Sequence, residues 1–461
     1  MARKNFLTDM RLHRSIFRLH FYAGLLVAPF LLILSITGAI YLFNTEIEDI
    51  VFGDWRFASA EGPHLAPEVM VDGALAAYPA STATRIDLPV TSERTATVFL
   101  TPEMGEPFRV FVDPVTGVAL GSFIYGDTLV GFADKMHGSL LIGDRGSNIV
   151  ELASCWAIVL IMTGLYLWWP RGGGAIWGVF LPRRLKGRLM WREIHAVVGM
   201  WASVFILFLI VTGLPWSAHW SGYLQGFLDL TDSGYPASYR THVNHAAVMS
   251  DPTTTLAETT PGIAWTLESA PAPMSDHGHH QMAGAEPIDV GTAASILARE
   301  GLTTAYRLVY PKDKHDVFTA YTYPDKPEGQ RTIHLDQYTG DVINDIAYAD
   351  YGVGAKAVEL GVQLHMGNYF GVPNQIIMLF AALCGVALAI TGPVMWLKRR
   401  KAGLGAPPPA SGKRAWSIAV ILLAFGVVFP ALGLSLIAVF AAEQLILGRI
   451  APVRQWLGLR S

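Results

Sequence analysis

Four apolar runs, at about 21–43, 148–169, 196–218 and 374–397, limit what this chain can fold into. Each is long enough to cross the hydrocarbon core of a bilayer, which takes roughly 20 residues of helix. Inside lipid the backbone finds no water to bond, so runs of this kind must be helical. The rest of the chain agrees: 52% of its 461 residues are hydrophobic and only 15% charged, which excludes an ordinary soluble globule. A further apolar run at about 415–447 is too long for one simple span and is broken by Pro430. It reads either as one kinked helix with an interfacial extension or as a hairpin of two short spans.

Basic residues set the expected orientation. Arg3, Lys4, Arg11, Arg14 and Arg18 precede the first span. Arg171, Arg183, Arg184, Lys186, Arg188 and Arg192 lie between the second and third, and Lys398, Arg399, Arg400, Lys401, Lys413 and Arg414 follow the fourth. Three such clusters place the N-terminus and both short loops in the cytoplasm and the two long connections outside. The first apolar run lacks a small-residue cleavage pattern, so it is expected to stay as an anchor. Cys155 and Cys384 fall inside spans, so no disulfide framework is expected outside.

The spans carry a repeated pattern. A histidine precedes each of the first four, and a Thr-Gly lies near its end: His20 with Thr37-Gly38, His137 with Thr163-Gly164, His195 with Thr212-Gly213, His365 with Thr391-Gly392. The His-to-Thr separation is 17 in the first and third and 26 in the second and fourth. The external regions repeat too. "FVDPVTGVALG" precedes His137 and "HLDQYTGDVIN" precedes His365, each a strand-like run meeting an Asp-x-x-Thr-Gly turn signal. Upstream of each lie a helix-like stretch ("APEVMVDGALAAYP", "PIDVGTAASILARE") and extended segments. The unit of span, small α+β region and span therefore occurs twice.

The predicted architecture is an integral membrane α-helical bundle with two external α+β domains and a C-terminal apolar region. Its parts are 1–43 (N-terminus and first span), 44–136 (first external domain), 137–169 (second span), 170–194 (basic loop), 195–219 (third span), 220–364 (second external domain), 365–397 (fourth span), 398–414 (loop) and 415–447.

With its twin Asp-x-x-Thr-Gly turns, its His-Gly openings and its closings "TGLYLWWPR" and "TGPVMWLKRR", the chain resembles the PepSY-associated transmembrane (PepSY-TM) family over roughly residues 10–400; "REIHAVVGMW" matches the way the third span begins. The resemblance implies two PepSY-like domains outside the bacterial inner membrane. It also brings in iron-regulated proteins and ferric-siderophore reductases that carry haem b.

The histidines suit that chemistry. Spans alternate in direction, so His20 and His195 lie near one membrane face and His137 and His365 near the other. An ionisable group in a bundle is a functional candidate by default. Porphyrin supplies four nitrogens to iron and two imidazoles complete the set, so each pair is a candidate holder of one haem. His13, two helical turns before His20, and His219, at the far end of the third span, are alternates. Gly24, Gly138, Gly199 and Gly367 are expected either to let a flat macrocycle approach the backbone or to pack helices closely. "MSDHGHHQM" sets His277, His279 and His280 between Met274 and Met282, either a copper, zinc or nickel site or a plain exposed insertion. His242 and His245 either line an acceptor pocket with Tyr235 and Tyr239 or belong to a surface loop.

No C-x-x-C-H, H-E-x-x-H, P-loop or strand-linked G-x-G-x-x-G occurs, which excludes covalent c-type haem and gives no nucleotide site. The expected function is transfer of electrons from a quinol or a separate cytoplasmic reductase through two haems to a periplasmic ferric siderophore. No nucleic-acid partner is expected. The competing expectations are a membrane-anchored regulatory module without cofactor and a metal or siderophore transporter.

Overall fold

The computed structural model describes residues 2–170, 179–183, 186–236, 239, 250–275, 286–398, 422, 425–445 and 450. The chain begins with α1 (Ala2–Tyr41), α2 (Asn44–Val51), α3 (Gly53–Arg56) and α4 (Pro67–Ala77). Strands β1 (Ser81–Asp87), β2 (Ala96–Pro102), β3 (Phe108–Val112) and β4 (Ala119–Phe123) lead to α5 (Leu129–Ser139) and α6 (Asp144–Trp168). Then come α7 (Gly187–Gly213), α8 (Trp220–Leu230), β5 (Ser250–Thr255), α9 (Leu256–Thr259), α10 (Trp265–Glu268), β6 (Pro271–Pro273) and α11 (Val290–Arg299). Finally β7 (Arg307–Val309), β8 (Val317–Thr322), β9 (Arg331–Asp336) and β10 (Val342–Ala347) precede α12 (Val353–His365), α13 (Val372–Leu397) and α14 (Pro430–Leu445).

Four helical stretches have the length and apolarity to span a membrane: Leu12–Tyr41, Asp144–Trp168, Leu189–Trp216 and Val372–Leu397. α1 packs on α6 and α13, and α7 packs on the same two. The section is thus a square, with α1 facing α7 across one diagonal and α6 facing α13 across the other.

The sequence places His137 and His365 at the openings of the second and fourth spans. The structure moves them back. Each lies at or near the end of a short helix, α5 or α12, and a turn separates it from the membrane helix. That turn accounts for the longer His-to-Thr spacing of these two spans. Both turns end on a glycine with matching backbone angles, Gly143 at φ 60°, ψ −141° and Gly371 at φ 61°, ψ −140°. Only glycine occupies that region without strain.

The two long connections, expected as separate external domains, share one antiparallel sheet of order β10-β9-β8-β7-β1-β2-β3-β4. The seam pairs Arg85 with Val309, Ile86 with Leu308 and Asp87 with Arg307. Joining β1 to β7 removes two open strand edges that separate domains would expose. Both Asp-x-x-Thr-Gly turns form as read. Asp113 Oδ1 accepts the amides of Val115 and Thr116, Asp336 Oδ1 those of Tyr338 and Thr339, and Gly117 and Gly340 take φ 72° and 73°. One sheet face carries Ile86, Val98, Val110, Leu308, Ala320 and Ile333, and it packs under α4 and α11 in a single core. The opposite face, with Arg85, Arg109, Arg307 and Tyr321, is polar and turns toward the bundle.

At the C-terminal end α14 packs on α6, with Trp156 Nε1 donating to Ser435 Oγ (3.0 Å) and Leu432 buried. Gly426 and Gly433 meet across the corner at Pro430. Most of the path into that corner, and residues 451–461, lie outside the described residues.

A methyl group on Gly143 or Gly371 would touch nothing within 4 Å, so any cost of substitution comes from the backbone alone. Gly371→Ala should therefore lower stability by about 1–3 kcal/mol. Gly138→Ala, equally uncrowded but inside a helix, should be neutral or stabilising. Thermal unfolding in detergent separates the two.

Candidate functional site

The structure brings the four span histidines together as two diagonal pairs. His20 on α1 faces His195 on α7 with ring centres 6.3 Å apart and planes at 86°. His137 on α5 faces His365 on α12 at 6.5 Å and 85°. Each half of the chain contributes one ring to each pair. Along α1 the 17 residues from His20 to Thr37 separate the two layers by about 25 Å of helical rise.

What holds the rings is the Thr-Gly of a neighbouring span. His20 Nδ1 lies 2.9 Å from Thr163 Oγ1, and His137 Nδ1 lies 3.1 Å from Thr37 Oγ1. His195 Nδ1 lies 2.8 Å from Thr391 Oγ1, and His365 Nδ1 lies 2.9 Å from Thr212 Oγ1. The exchange is reciprocal: the first two spans orient each other's histidines, and so do the third and fourth.

The hydroxyl chemistry then fixes the tautomer. Each threonine hydroxyl already donates its one hydrogen to the carbonyl four residues back: Thr37 to Ile33, Thr163 to Val159, Thr212 to Phe208 and Thr391 to Ala387, at 2.7–2.8 Å. With its hydrogen on that carbonyl the oxygen accepts, which assigns the ring proton to Nδ1 as donor. Each Nε2 is left as a bare lone pair, with no hydrogen-bond partner among the described residues.

The glycine after each threonine is the second half of the device. A Cβ on Gly38, Gly164, Gly213 or Gly392 would meet the imidazole Cε1 of the ring at 3.1, 3.2, 3.4 or 3.8 Å. Glycine lets the ring lie against the helix backbone beside its threonine. The glycines singled out near the histidines have other uses. Gly24 and Gly199 pack against Leu160 and Leu388, Gly138 meets nothing, and Gly367 serves a turn at φ 80°.

Two trans imidazoles on one metal, each bonded at about 2 Å with the ring centre about 1 Å further back, have centres roughly 6 Å apart. The observed 6.3 and 6.5 Å fit that spacing. All four rings are half-buried rather than sealed by side chains. No group of three or more His, Cys, Asp or Glu side chains suited to a bare metal ion occurs among the described residues. A donor set of two bare imidazole nitrogens per site fits a group that brings its own equatorial ligands.

The alternates do not join either pair. His13 packs beside Tyr166, ring centres 6.4 Å apart. His219 is exposed, and its backbone amide donates to Glu151 Oε2 at 2.7 Å. His277, His279, His280, His242 and His245 lie outside the described residues. His334, which sequence reasoning passed over, shows what a structural histidine looks like here. It is fully buried, with Nε2 bonded to Tyr239 Oη (2.7 Å) and Nδ1 to Thr319 Oγ1 (2.9 Å).

Above His365 lies a buried polar layer. Glu359 on α12 accepts from the Thr266 amide and hydroxyl (3.0 Å each) and from Gln330 Nε2 (2.9 Å). Burial, reinforced by Glu359, pushes the Glu268 carboxyl up to about 7.

These features define a multi-pass membrane protein whose four-helix bundle sets a pair of opposed imidazoles near each end, with a shared sheet domain beyond one of them. A family model described as the PepSY-associated TM region matches residues 17–399, and the chain belongs to that family. No curated protein matches it.

Two measurements follow. With ¹⁵N-labelled histidine and no cofactor loaded, the four rings should report the Nδ1–H tautomer, and Thr212→Val should move one of them, His365, to a tautomer mixture. Between pH 4.5, the ordinary value for Glu268, and about 7, the folded protein keeps a proton that the unfolded chain releases. Stability should therefore fall as pH rises through that window, and Glu268→Gln should flatten the slope in thermal unfolding.

Proposed function

We propose that this chain is a haem b membrane oxidoreductase that carries electrons across the bilayer to an acceptor on the sheet side, a ferric siderophore or similar iron chelate. The observation that carries this reading is the pair of opposed histidine sites, each with Nδ1–H held by threonine and Nε2 bare. The resemblance of the repeated motifs to PepSY-TM proteins that carry haem b supports it.

Haem bound at these sites supplies reversible one-electron transfer at its iron. The protein's own part is positional. His137 and His365 present their Nε2 lone pairs at the sheet end, and His20 and His195 present theirs at the other. The Thr37, Thr163, Thr212 and Thr391 hydroxyls fix ring orientation and raise ligand basicity by accepting the far N–H. Gly38, Gly164, Gly213 and Gly392 keep the rings close to the helices.

Direction follows from charge. Arg14, Arg18, Arg183, Lys186, Arg192 and Lys398 all sit at the end of the bundle away from the sheet, which supports an inner-membrane topology with that end cytoplasmic and the sheet periplasmic. A quinol or a separate reductase would deliver electrons to the His20–His195 end. The duplicated pattern of His, sheet and Thr-Gly reads as a tandem repeat whose halves meet at both sites.

The test is an optical spectrum of purified, detergent-solubilised protein, oxidised and dithionite-reduced, with pyridine-haemochrome quantitation. A low-spin b-type spectrum with two haems per chain is expected, and His137→Ala or His365→Ala should halve the haem content. A colourless protein from cells supplied with ample haem overturns the reading and favours an anchored regulatory module or a transporter.

A further inference from the structure

The sheet face turned toward the bundle carries charge that neither histidine pair uses. Register places Arg85 opposite both Phe99 and Val309, Phe99 opposite Arg109, and Arg307 opposite both Asp87 and Tyr321. Three guanidinium groups therefore sit on one face across neighbouring strands. Two of them are engaged. Arg85 grips Asp87 (2.6 and 2.8 Å) and donates to the Pro261 carbonyl (2.9 Å). Arg307 approaches the same Asp87 at 3.7 Å and lies over the rings of Tyr321 and Tyr323.

Arg109 is different. It stacks over the rings of Tyr125 (4.0 Å to the centre) and Phe99 (5.3 Å). Among the described residues no carboxylate is within ion-pair distance of it and no acceptor takes any of its donors. A guanidinium has five N–H donors in a planar fork, and leaving them unmet in a sealed interior is costly. None of them is sealed: the residue is half-buried, and no nitrogen of it is among the buried unpartnered atoms. They lie on the side of the sheet that meets Tyr41 of α1 and the ring of Tyr125.

The neighbours of Arg109 belong to the elements that hold the sheet-end histidines. Tyr125 donates to Asp134 Oδ2 (3.2 Å), and Asp134 lies one turn before His137 on α5. Tyr41 lies one turn after Thr37, the residue that orients His137. Farther along the same face, beside Arg307, Tyr323 lies near Glu359 and Glu268. The carboxylates nearest Arg109 are otherwise engaged: Glu48 pairs with Arg56 and Asp87 with Arg85, and burial raises the Asp134 carboxyl toward its neutral form.

We propose that the bundle-facing side of the sheet, centred on Arg109 and Tyr125, binds a soluble polycarboxylate anion next to the His137–His365 pair. The fork of Arg109 matches a carboxylate in two-point contact, and the stacked rings hold it rigid for that contact. As the place where a carboxylate-bearing metal chelate receives electrons, the site rests on the redox reading above; as an anion site it does not.

The probe is gallium(III) citrate, which cannot be reduced under these conditions, titrated calorimetrically into the full-length protein in neutral detergent. Wild type should bind it, more weakly as salt rises. Arg109→Gln should weaken binding about ten-fold or more, and Arg109→Lys, which keeps the charge but not the fork, by less. Arg331→Gln, which breaks an ion pair with Asp345 at the far side of the sheet, should leave binding unchanged. Thermal unfolding identifies any variant that fails to fold, and Arg109→Lys then carries the comparison. Equal binding by folded wild type and Arg109→Gln, or no binding by folded wild type, overturns the proposal. So does loss of citrate binding in anionic-lipid nanodiscs, which would assign the site to a headgroup. Binding that persists in haem-free protein upholds the anion site even where the redox reading fails.

Discussion

A threonine hydroxyl has one hydrogen, and in this bundle that hydrogen is already committed to its own helix. Everything at the two histidine sites follows from that. With the hydroxyl reduced to an acceptor, the imidazole across from it must donate through Nδ1 and present Nε2 bare. The same contact joins the helices. Every histidine is oriented by a different span from its own, so neither partner can rotate without disturbing a ring.

The second organising feature is the seam between β1 and β7. Isolated, each external region would be a four-stranded sheet with an exposed first strand, and its lower face would have little to lie against. Paired, they make one platform with a hydrophobic upper face beneath α4 and α11 and a polar lower face over the bundle. The platform and the histidine pairs then constrain one another: α5 and α12 leave the sheet and end at or near His137 and His365, so the strand register sets how those two rings meet.

Much of this was legible beforehand because lipid leaves few options. The apolar runs, the twin Asp-x-x-Thr-Gly turns and the helix-like stretches at Pro67–Ala77 and Val290–Arg299 all form where the pattern places them. The four histidines were found from their spacing, but their threonine partners were not, although Thr37, Thr163, Thr212 and Thr391 were in plain view. Periodicity along one chain does not reveal that a residue serves the neighbouring span. Nor could it show that His137 and His365 end separate short helices, because the break depends on glycine backbone angles and not on polarity. The shared sheet was likewise hidden: pairing between strands more than 200 residues apart leaves no local trace, and Arg109 gains its meaning only from that pairing.

The crossed arrangement has a consequence for ancestry and assembly. Each imidazole pair draws one ring from residues before 170 and one from residues after 186, and the sheet closes only when both portions supply a first strand. A chain encoding one portion alone would hold neither pair and would present a sticky strand to its surroundings. It could complete itself only by meeting a second copy in the membrane. Linked in one polypeptide, the two portions meet at a fixed one-to-one ratio, and the pairing no longer depends on an encounter.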